Sequence, residues 1–398
     1  MKEVLINKFD YEGNGITTLN GKKIFVNNAL PNEKVQIEII ENKSNYSKAR
    51  VKKFIKKSNI RRNSPCPYEE CGGCNLLHIH YDDELKFKQN KINELFNNIE
   101  NINDIIPADI EFNYRNKITI KVDKKIGYYK KNSHDIVPIK KCLLAKNEIN
   151  EILKSITKLN LKNIKELTIK SSEDTMLIIK GEISNYKDFL NLNVDNILVL
   201  NNNKYTCIKG NDFITDTLQD IKLIIKKDSF YQINKKQTIK LYNEIIRLGK
   251  FNKNDTVLDM YCGIGTISLF ISKYVKKVIG IEINKNAIKS ANENKKINNI
   301  KNTYFHCLNA NEIKITEKVD KIIVDPPRGG LDKKTIEFLN KSNANVIIYV
   351  SCNPITLKRD IELLKQFYSL KEITPVDMFP NTHHVECVSV LHQKSPKK

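Results

Sequence analysis

The sequence predicts a protein of three parts: an N-terminal OB-like β-barrel (residues 1–60), a central α+β region (61–225) and a doubly wound α/β domain (226–398). Three observations carry this reading. A chain of 398 residues is long enough for two or three domains, each burying its own core. Through residue 60, short apolar runs alternate with glycine turns, the pattern of small strands closing a barrel. From about residue 228 strand-like and helix-like segments alternate, which builds a parallel sheet covered by helices.

In the first part the predicted strands are Val4-Leu5-Ile6, Ile24-Phe25-Val26, Val35-Gln36-Ile37 and Ala49-Arg50-Val51, with Gly13, Gly15 and Gly21 at turns. In the central part Tyr114 to Val122 reads as a basic, half-exposed strand, and Gly127-Tyr128-Tyr129-Lys130 as a turn with aromatics beside lysine. Aromatics interleaved with basic residues can stack on unpaired bases, though sheet packing uses them equally. Residues 151–200 are rich in Leu and Ile and carry no functional signal. In the third part a helix over Ile239 to Leu248 precedes the strand Thr256 to Asp259 and a helix over 266–274. Strands at Val278 to Glu282, Lys321 to Asp325 and Val346 to Val350 follow.

The formal net charge is +21, and residues 1–62 hold 14 Lys/Arg against 6 Asp/Glu. A polyanion is the expected partner. The basic residues lie on strand-like segments and not on an amphipathic helix, which argues against a membrane surface. No apolar run approaches the roughly 20 residues of a membrane span. The first residues lack the apolar stretch of a signal peptide, so the expected location is the cytoplasm. Nine cysteines without a regular disulfide framework then point to metal, redox or catalytic roles.

Three of those cysteines, Cys66, Cys71 and Cys74, fall within nine residues together with Gly72 and Gly73. The glycines let the backbone fold tightly around whatever the thiols hold. Four thiolates complete an iron–sulfur cubane or a tetrahedral zinc site, and the spacing alone selects neither. His78, His80 or a distant cysteine could be the fourth ligand.

The third part concentrates its chemistry at strand ends, where open α/β sheets bind ligands. Asp259-Met260-Tyr261-Cys262-Gly263-Ile264-Gly265-Thr266 joins the first strand to its helix, and its glycines admit a ligand close to the backbone. Glu282 ends the second strand and can hold both hydroxyls of a ribose. The third glycine of a dinucleotide fingerprint is missing, so a nucleoside without a pyrophosphate, S-adenosylmethionine, is expected in preference to a nicotinamide cofactor. Asp325-Pro326-Pro327-Arg328 ends a later strand, and its rigid turn pushes Asp325 into the cleft. Amino-directed methyltransferases carry an aromatic where Arg328 stands, which argues for chemistry driven by another residue. Ser351-Cys352-Asn353-Pro354 follows the last apolar run and delivers a thiol to the same edge.

Four segments together resemble the RNA uridine-C5 methyltransferase family: Ser229 to Asn234, Asp259 to Thr266, Asp325 to Gly329 and Ser351 to Asp360. A fifth, Phe379 to Val388, completes the pattern. Glu12 to Ile16 and Ile24 to Pro31 resemble a TRAM domain, an OB-like RNA-binding barrel. With the cysteine cluster, the likeness covers nearly the whole chain. It runs nearest to the TRAM-containing, iron–sulfur members that modify large-subunit ribosomal RNA (rRNA).

The resemblance implies a Rossmann-like class I methyltransferase domain. It implies a 4Fe–4S cluster on Cys66, Cys71, Cys74 and the distant Cys142, although four residues separate Cys66 from Cys71 where the family usually has five. It places S-adenosylmethionine against Gln232, Tyr261, Glu282 and Asp325. Asn309 joins them as an adenine contact, within Leu308-Asn309-Ala310 where the family usually has Gly-Asp-Ala. Uridine C5 is a poor nucleophile until a thiolate adds at C6, and Cys352 is the expected nucleophile. Release needs a base for the C5 proton, which the resemblance assigns to Glu386, with His383 and His384 as alternatives. The expected substrate is rRNA, with transfer RNA as alternative, and a monomer is expected. Cytidine-C5 methylation and a non-catalytic RNA-binding factor are the competing readings.

Overall fold

The computed structural model describes residues 2–394 except 100, 132 and 311–316. Six strands build the N-terminal sheet: β1 (Lys2–Leu5), β2 (Lys8–Phe9), β3 (Gly15–Leu19), β4 (Lys22–Asn27), β5 (Lys34–Asn42) and β6 (Tyr46–Lys56). Their order is β1-β5-β6-β4-β3-β2. β1 and β2 belong to one run of chain yet pair with opposite ends of the sheet, β5 and β3, and this closes the sheet on itself. Irregular register between β5 and β6 bends the long hairpin that closure requires. Alternate residues turn inward, so Val4, Ile24, Val26, Val35 and Ile37 form one buried cluster. All four expected strands are present. β3 was not expected, because Thr17 and Thr18 give it little apolar signal.

A helix, α1 (Tyr81–Leu95), leads into the central sheet. That sheet contains β7 (Lys117–Val122), β8 (Ile126–Tyr129), β9 (Ile136–Pro138), β10 (Ile164–Ser171), β11 (Thr175–Gly181), β12 (Asn196–Asn201) and β13 (Lys204–Lys209). α2 (Asn147–Ile156) buries Ile149, Ile152, Leu153 and Ile156 against it, and α3 (Tyr186–Leu190) adds Phe189. The turn expected at 127–130 is instead strand β8. Gly127 is there because the β9 backbone passes so close that a Cβ would lie 1.8 Å from the Val137 carbonyl oxygen. The hairpin β14 (Phe213–Leu218) and β15 (Ile221–Lys226) packs its apolar face into the core of the last sheet, beside α4 (Lys235–Gly249).

The last sheet holds β16 (Thr256–Met260), β17 (Lys277–Glu282), β18 (Thr303–Cys307), β19 (Lys321–Val324), β20 (Val346–Ser351), β21 (Tyr368–Val376) and β22 (Glu386–Gln393). Its helices are α5 (Thr266–Ile271), α6 (Lys285–Ile297), α7 (Lys333–Lys341) and α8 (Pro354–Leu364). The strand order is β18-β17-β16-β19-β20-β22-β21. Five strands are parallel, as expected of a doubly wound sheet, and two apolar clusters cover its faces. β22 runs antiparallel to both of its neighbours, β20 and β21. The order reverses between β16 and β19, which opens a crevice at their carboxyl ends. Among the described residues no helix is long and apolar enough to cross a membrane.

Candidate active site

The crevice at the reversal is floored by the loop after β16. Tyr261 has φ 65°, a left-handed conformation that a bulky residue adopts only under constraint. Gly263 and Gly265 follow at φ 55° and 83°. A Cβ on Gly265 would meet Phe305 at 2.6 Å, whereas a Cβ on Gly263 would project into open space. Gly263 therefore keeps a ligand approach open, and Gly265 serves packing. The Gly263 N–H donates to Glu282 Oε2 at 3.3 Å, while Glu282 Oε1 accepts from Asn284 N–H at 2.8 Å. Gln232, Tyr261, Gly263, Thr266 and Asp325 line one cleft with Phe230. Phe230 is 75% exposed, and its aromatic face beside the cleft is a feature that sequence reasoning did not single out. Asn309 follows β18 on the same edge, outside that lining.

Beneath the cleft Asp259 is fully buried and bonded by the Ser268 hydroxyl. Burial raises its carboxyl to about 7, and its second oxygen has no partner among the described residues. Asp325, at the end of β19, is likewise pushed up to about 7 by burial. These features fit S-adenosylmethionine: a carboxylate at a ribose position, an open glycine and a half-buried acid that a ligand's amine would re-ionise.

The second half of the site lies where β20 and β22 end together. Ser351 pairs with Cys387 in the antiparallel ladder, so the next step in register sets Cys352 opposite Glu386. Asn353 caps α8 by accepting from Ile355 N–H at 3.2 Å, with Pro354 at the first helical position. Its Nδ2 also donates to the Arg328 carbonyl at 3.1 Å, which ties the Pro-Pro turn to the Cys352 turn. Arg359 Nη2 donates to the Gly329 carbonyl at 2.9 Å, and Asp360 accepts from Leu331 N–H at 2.8 Å. The Arg359-Asp360 part of the motif is thus scaffolding for the turn bearing Asp325.

Electrostatics couples these groups. Glu386 is pushed up to about 8, chiefly by burial and also by Asp325, while the Arg328 guanidinium opposes the rise. Burial lifts the Cys352 thiol to about 11, assisted by Glu386, and Arg328 again pulls downward. His383 and His384 are depressed to about 3 and 4, chiefly by burial, so both are neutral and weakly basic. Glu386 is the stronger base of the three groups.

The four expected cluster ligands converge on one region. Cys142 raises the thiols of Cys66, Cys71 and Cys74, although burial is the largest cause in each case. Backbone N–H groups of Tyr68 and Gly73 point at Cys66 and Cys71. Two buried polar atoms beside them, Arg115 Nε and Tyr128 Oη, have no hydrogen-bond partner among the described residues. Sulfide or thiolate acceptors would satisfy both, so the donor set fits a sulfur-rich cluster. As they stand, no three His, Cys, Asp or Glu among the described residues are close enough to hold a metal ion. The charges nearest His78 are Arg61, Lys131 and Arg62, which sets it apart from the cysteines.

A class I fold whose crevice fits S-adenosylmethionine, joined to a basic barrel, defines an RNA methyltransferase. The family profile of tRNA (uracil-5-)-methyltransferases matches residues 178–394, and that of TRAM domains residues 1–52. The chain belongs to the tRNA (uracil-5-)-methyltransferase family. It is 32% identical to an uncharacterised RNA methyltransferase of Bacillus cereus, covering 98% of this chain and 96% of that one. It is 35% identical to a Staphylococcus aureus relative of the same description, covering 96% of both. The Pyrococcus abyssi tRNA (uracil-54, C5)-methyltransferase, solved with S-adenosyl-L-homocysteine, superposes with a TM-score of 0.83 at 27% identity, over 98% of this chain and 99% of that one. The protein is thus an S-adenosylmethionine-dependent RNA methyltransferase of the uracil-5 class, with RNA as substrate.

Proposed function

We propose that the protein methylates C5 of a uridine in rRNA through a covalent adduct between Cys352 and C6. The observation that carries this reading is the pairing of β20 with β22, which sets Cys352 opposite Glu386 beside the cleft that Asp325 lines. The Cys352 thiolate adds to C6, and the displaced electron pair moves onto C5 and O4. Bound S-adenosylmethionine supplies an electrophilic methyl group. C5 would take up that methyl, the broken S–C bond leaving its electron pair on S-adenosyl-L-homocysteine, Glu386 removes the C5 proton, and the electrons of the broken C–H bond expel Cys352 to leave 5-methyluridine. Arg328 stabilises both anions during this cycle. Glu282 would hold the ribose hydroxyls, Asp325 the amine, Gln232 and Tyr261 the rest of the cofactor, and Asn309 the adenine edge.

Residues 1–60, 61–225 and 226–398 act in this reading as barrel, cluster-bearing insertion and methyltransferase unit of a monomer working in the cytoplasm. Cys66, Cys71, Cys74 and Cys142 would hold a 4Fe–4S cluster that cross-links the insertion. Iron and sulfide analysis after anaerobic purification tests it, and stoichiometric zinc would overturn it. The barrel and the cysteine motif favour rRNA, whereas the substrate of the Pyrococcus relative favours tRNA. Mapping 5-methyluridine in both RNAs from a deletion strain separates the readings. Loss from rRNA supports the proposal, loss from tRNA alone replaces the substrate, and no loss from either refutes it.

A further inference from the structure

The chain that delivers Glu386 to the site, residues 377–385, has no regular secondary structure and is held from outside. One hold is electrostatic. Lys88 on α1 is fully buried and donates to Asp377 Oδ1 at 2.6 Å, to Glu84 Oε1 at 2.6 Å and to the Phe379 carbonyl at 3.2 Å. Glu84 Oε1 in turn accepts from Asn381 N–H at 2.8 Å. Lys91, one turn along α1, donates to the His383 carbonyl at 2.8 Å.

The second hold comes from the cysteine loop. Asn75 is the residue after Cys74. Its backbone N–H and that of Leu76 both donate to the Asn381 carbonyl, at 3.3 and 3.2 Å. Its Oδ1 accepts from His383 N–H at 2.9 Å, and its Nδ2 pairs with His383 Nδ1. The same Nδ2 reaches the Glu12 carbonyl of the barrel at 3.2 Å. Asn381 is itself in a left-handed conformation (φ 66°), which asparagine readily adopts, and its side chain accepts from Arg62 Nη2 at 2.7 Å and donates to the Glu111 carbonyl at 2.9 Å.

We infer that Asn75 is a positioning residue for the base step: Glu386 is the first residue of β22, paired with Val376, and Asn75 fixes the loop that enters this strand end, which makes the aim of Glu386 depend on order in the cysteine loop as well as on the ladder. This rests on the Cys352–Glu386 mechanism. A base must lie within hydrogen-bond reach of its proton, whereas Cys352 is set by the β20–α8 turn. Loosening the 377–385 loop therefore spares addition and methylation and slows resolution.

The test follows the two stages separately in the holoenzyme. With RNA and S-adenosylmethionine, Asn75→Ala is expected to form the denaturation-resistant protein–RNA adduct at the wild-type rate. It should resolve that adduct slower by a factor on the order of ten to a hundred. Asn75→Asp, which keeps the acceptor for His383 N–H, should recover part of the resolution rate. Hydrogen exchange of the 377–385 amides should quicken in Asn75→Ala and equally in Cys74→Ser. Equal slowing of both stages, wild-type resolution, or unchanged exchange in either variant would overturn the inference. Absence of any adduct in the wild type would refute the Cys352 mechanism, and exchange would still decide the clamp.

Discussion

Arg328 faces two acids at once, the Cys352 thiol and the Glu386 carboxyl. Its guanidinium lowers both Cys352 and Glu386 against the upward push of burial. In the proposed mechanism both groups react deprotonated, so turnover should rise as pH increases through their values. Replacing Arg328 by Ala removes the opposing charge and moves both values up. The rising limb of the pH–rate profile should shift to alkaline pH by about one unit or more, with the largest activity loss near neutrality. An unshifted profile would show that Arg328 serves only the backbone of its turn. Cys352, Asp325 and Glu282 were legible as candidates in the sequence because each ends an apolar run, where turn residues announce a sheet edge, whereas Glu386 came only from the family resemblance. Asn75, Lys88 and Arg115 were not legible. Asn75 meets His383 across 308 residues and Lys88 meets Asp377 across 289, and no local pattern encodes such pairs.

Two glycines of the loop after β16 carry different duties at the scale of the element. Both have positive φ, so an alanine strains the backbone at either position by about 1–2 kcal/mol. Gly265→Ala also drives a methyl into Phe305. It should lower the melting temperature markedly and reduce S-adenosyl-L-homocysteine affinity only as folding fails. Gly263→Ala should melt only a little lower yet lose most of that affinity, because its methyl enters the cleft. Calorimetric titration beside thermal melts distinguishes the two, and wild-type affinity in Gly263→Ala would remove that loop from the cofactor site. Four strands of the third part, β16, β17, β19 and β20, were legible to within a residue or two, since buried parallel strands are continuous apolar runs, whereas β18 and β21 were not foreseen. The reversed direction of β22 was not, because an apolar run reads alike in either direction. β3 and β8 escaped for local reasons, threonine content and a glycine chosen for close approach.

The whole molecule carries a net charge of +21, concentrated in part on the barrel, where β6 presents Lys52, Lys53 and Lys56 to solvent. RNA affinity should therefore fall steeply with salt through counterion release. Replacing Lys53 and Lys56 by alanine should flatten the slope of log K against log salt by about one per lysine that meets a phosphate. It should leave S-adenosyl-L-homocysteine binding unchanged. An unaltered slope would move the RNA path off this face. Three contact networks join the parts into one working unit: the barrel loop to Asn75, Asn75 to the Glu386 loop, and α1 to the same loop through Lys88.

In the proposed mechanism Cys352 attacks the uracil and Glu386 releases it. Glu386→Gln keeps the shape of the site and removes the base. Incubated with substrate RNA and methyl-labelled S-adenosylmethionine, this variant should accumulate a denaturation-resistant complex carrying label, with peptide mapping placing the RNA on Cys352. Clean turnover by Glu386→Gln, or labelled 5-methyluridine produced by Cys352→Ala, would contradict it.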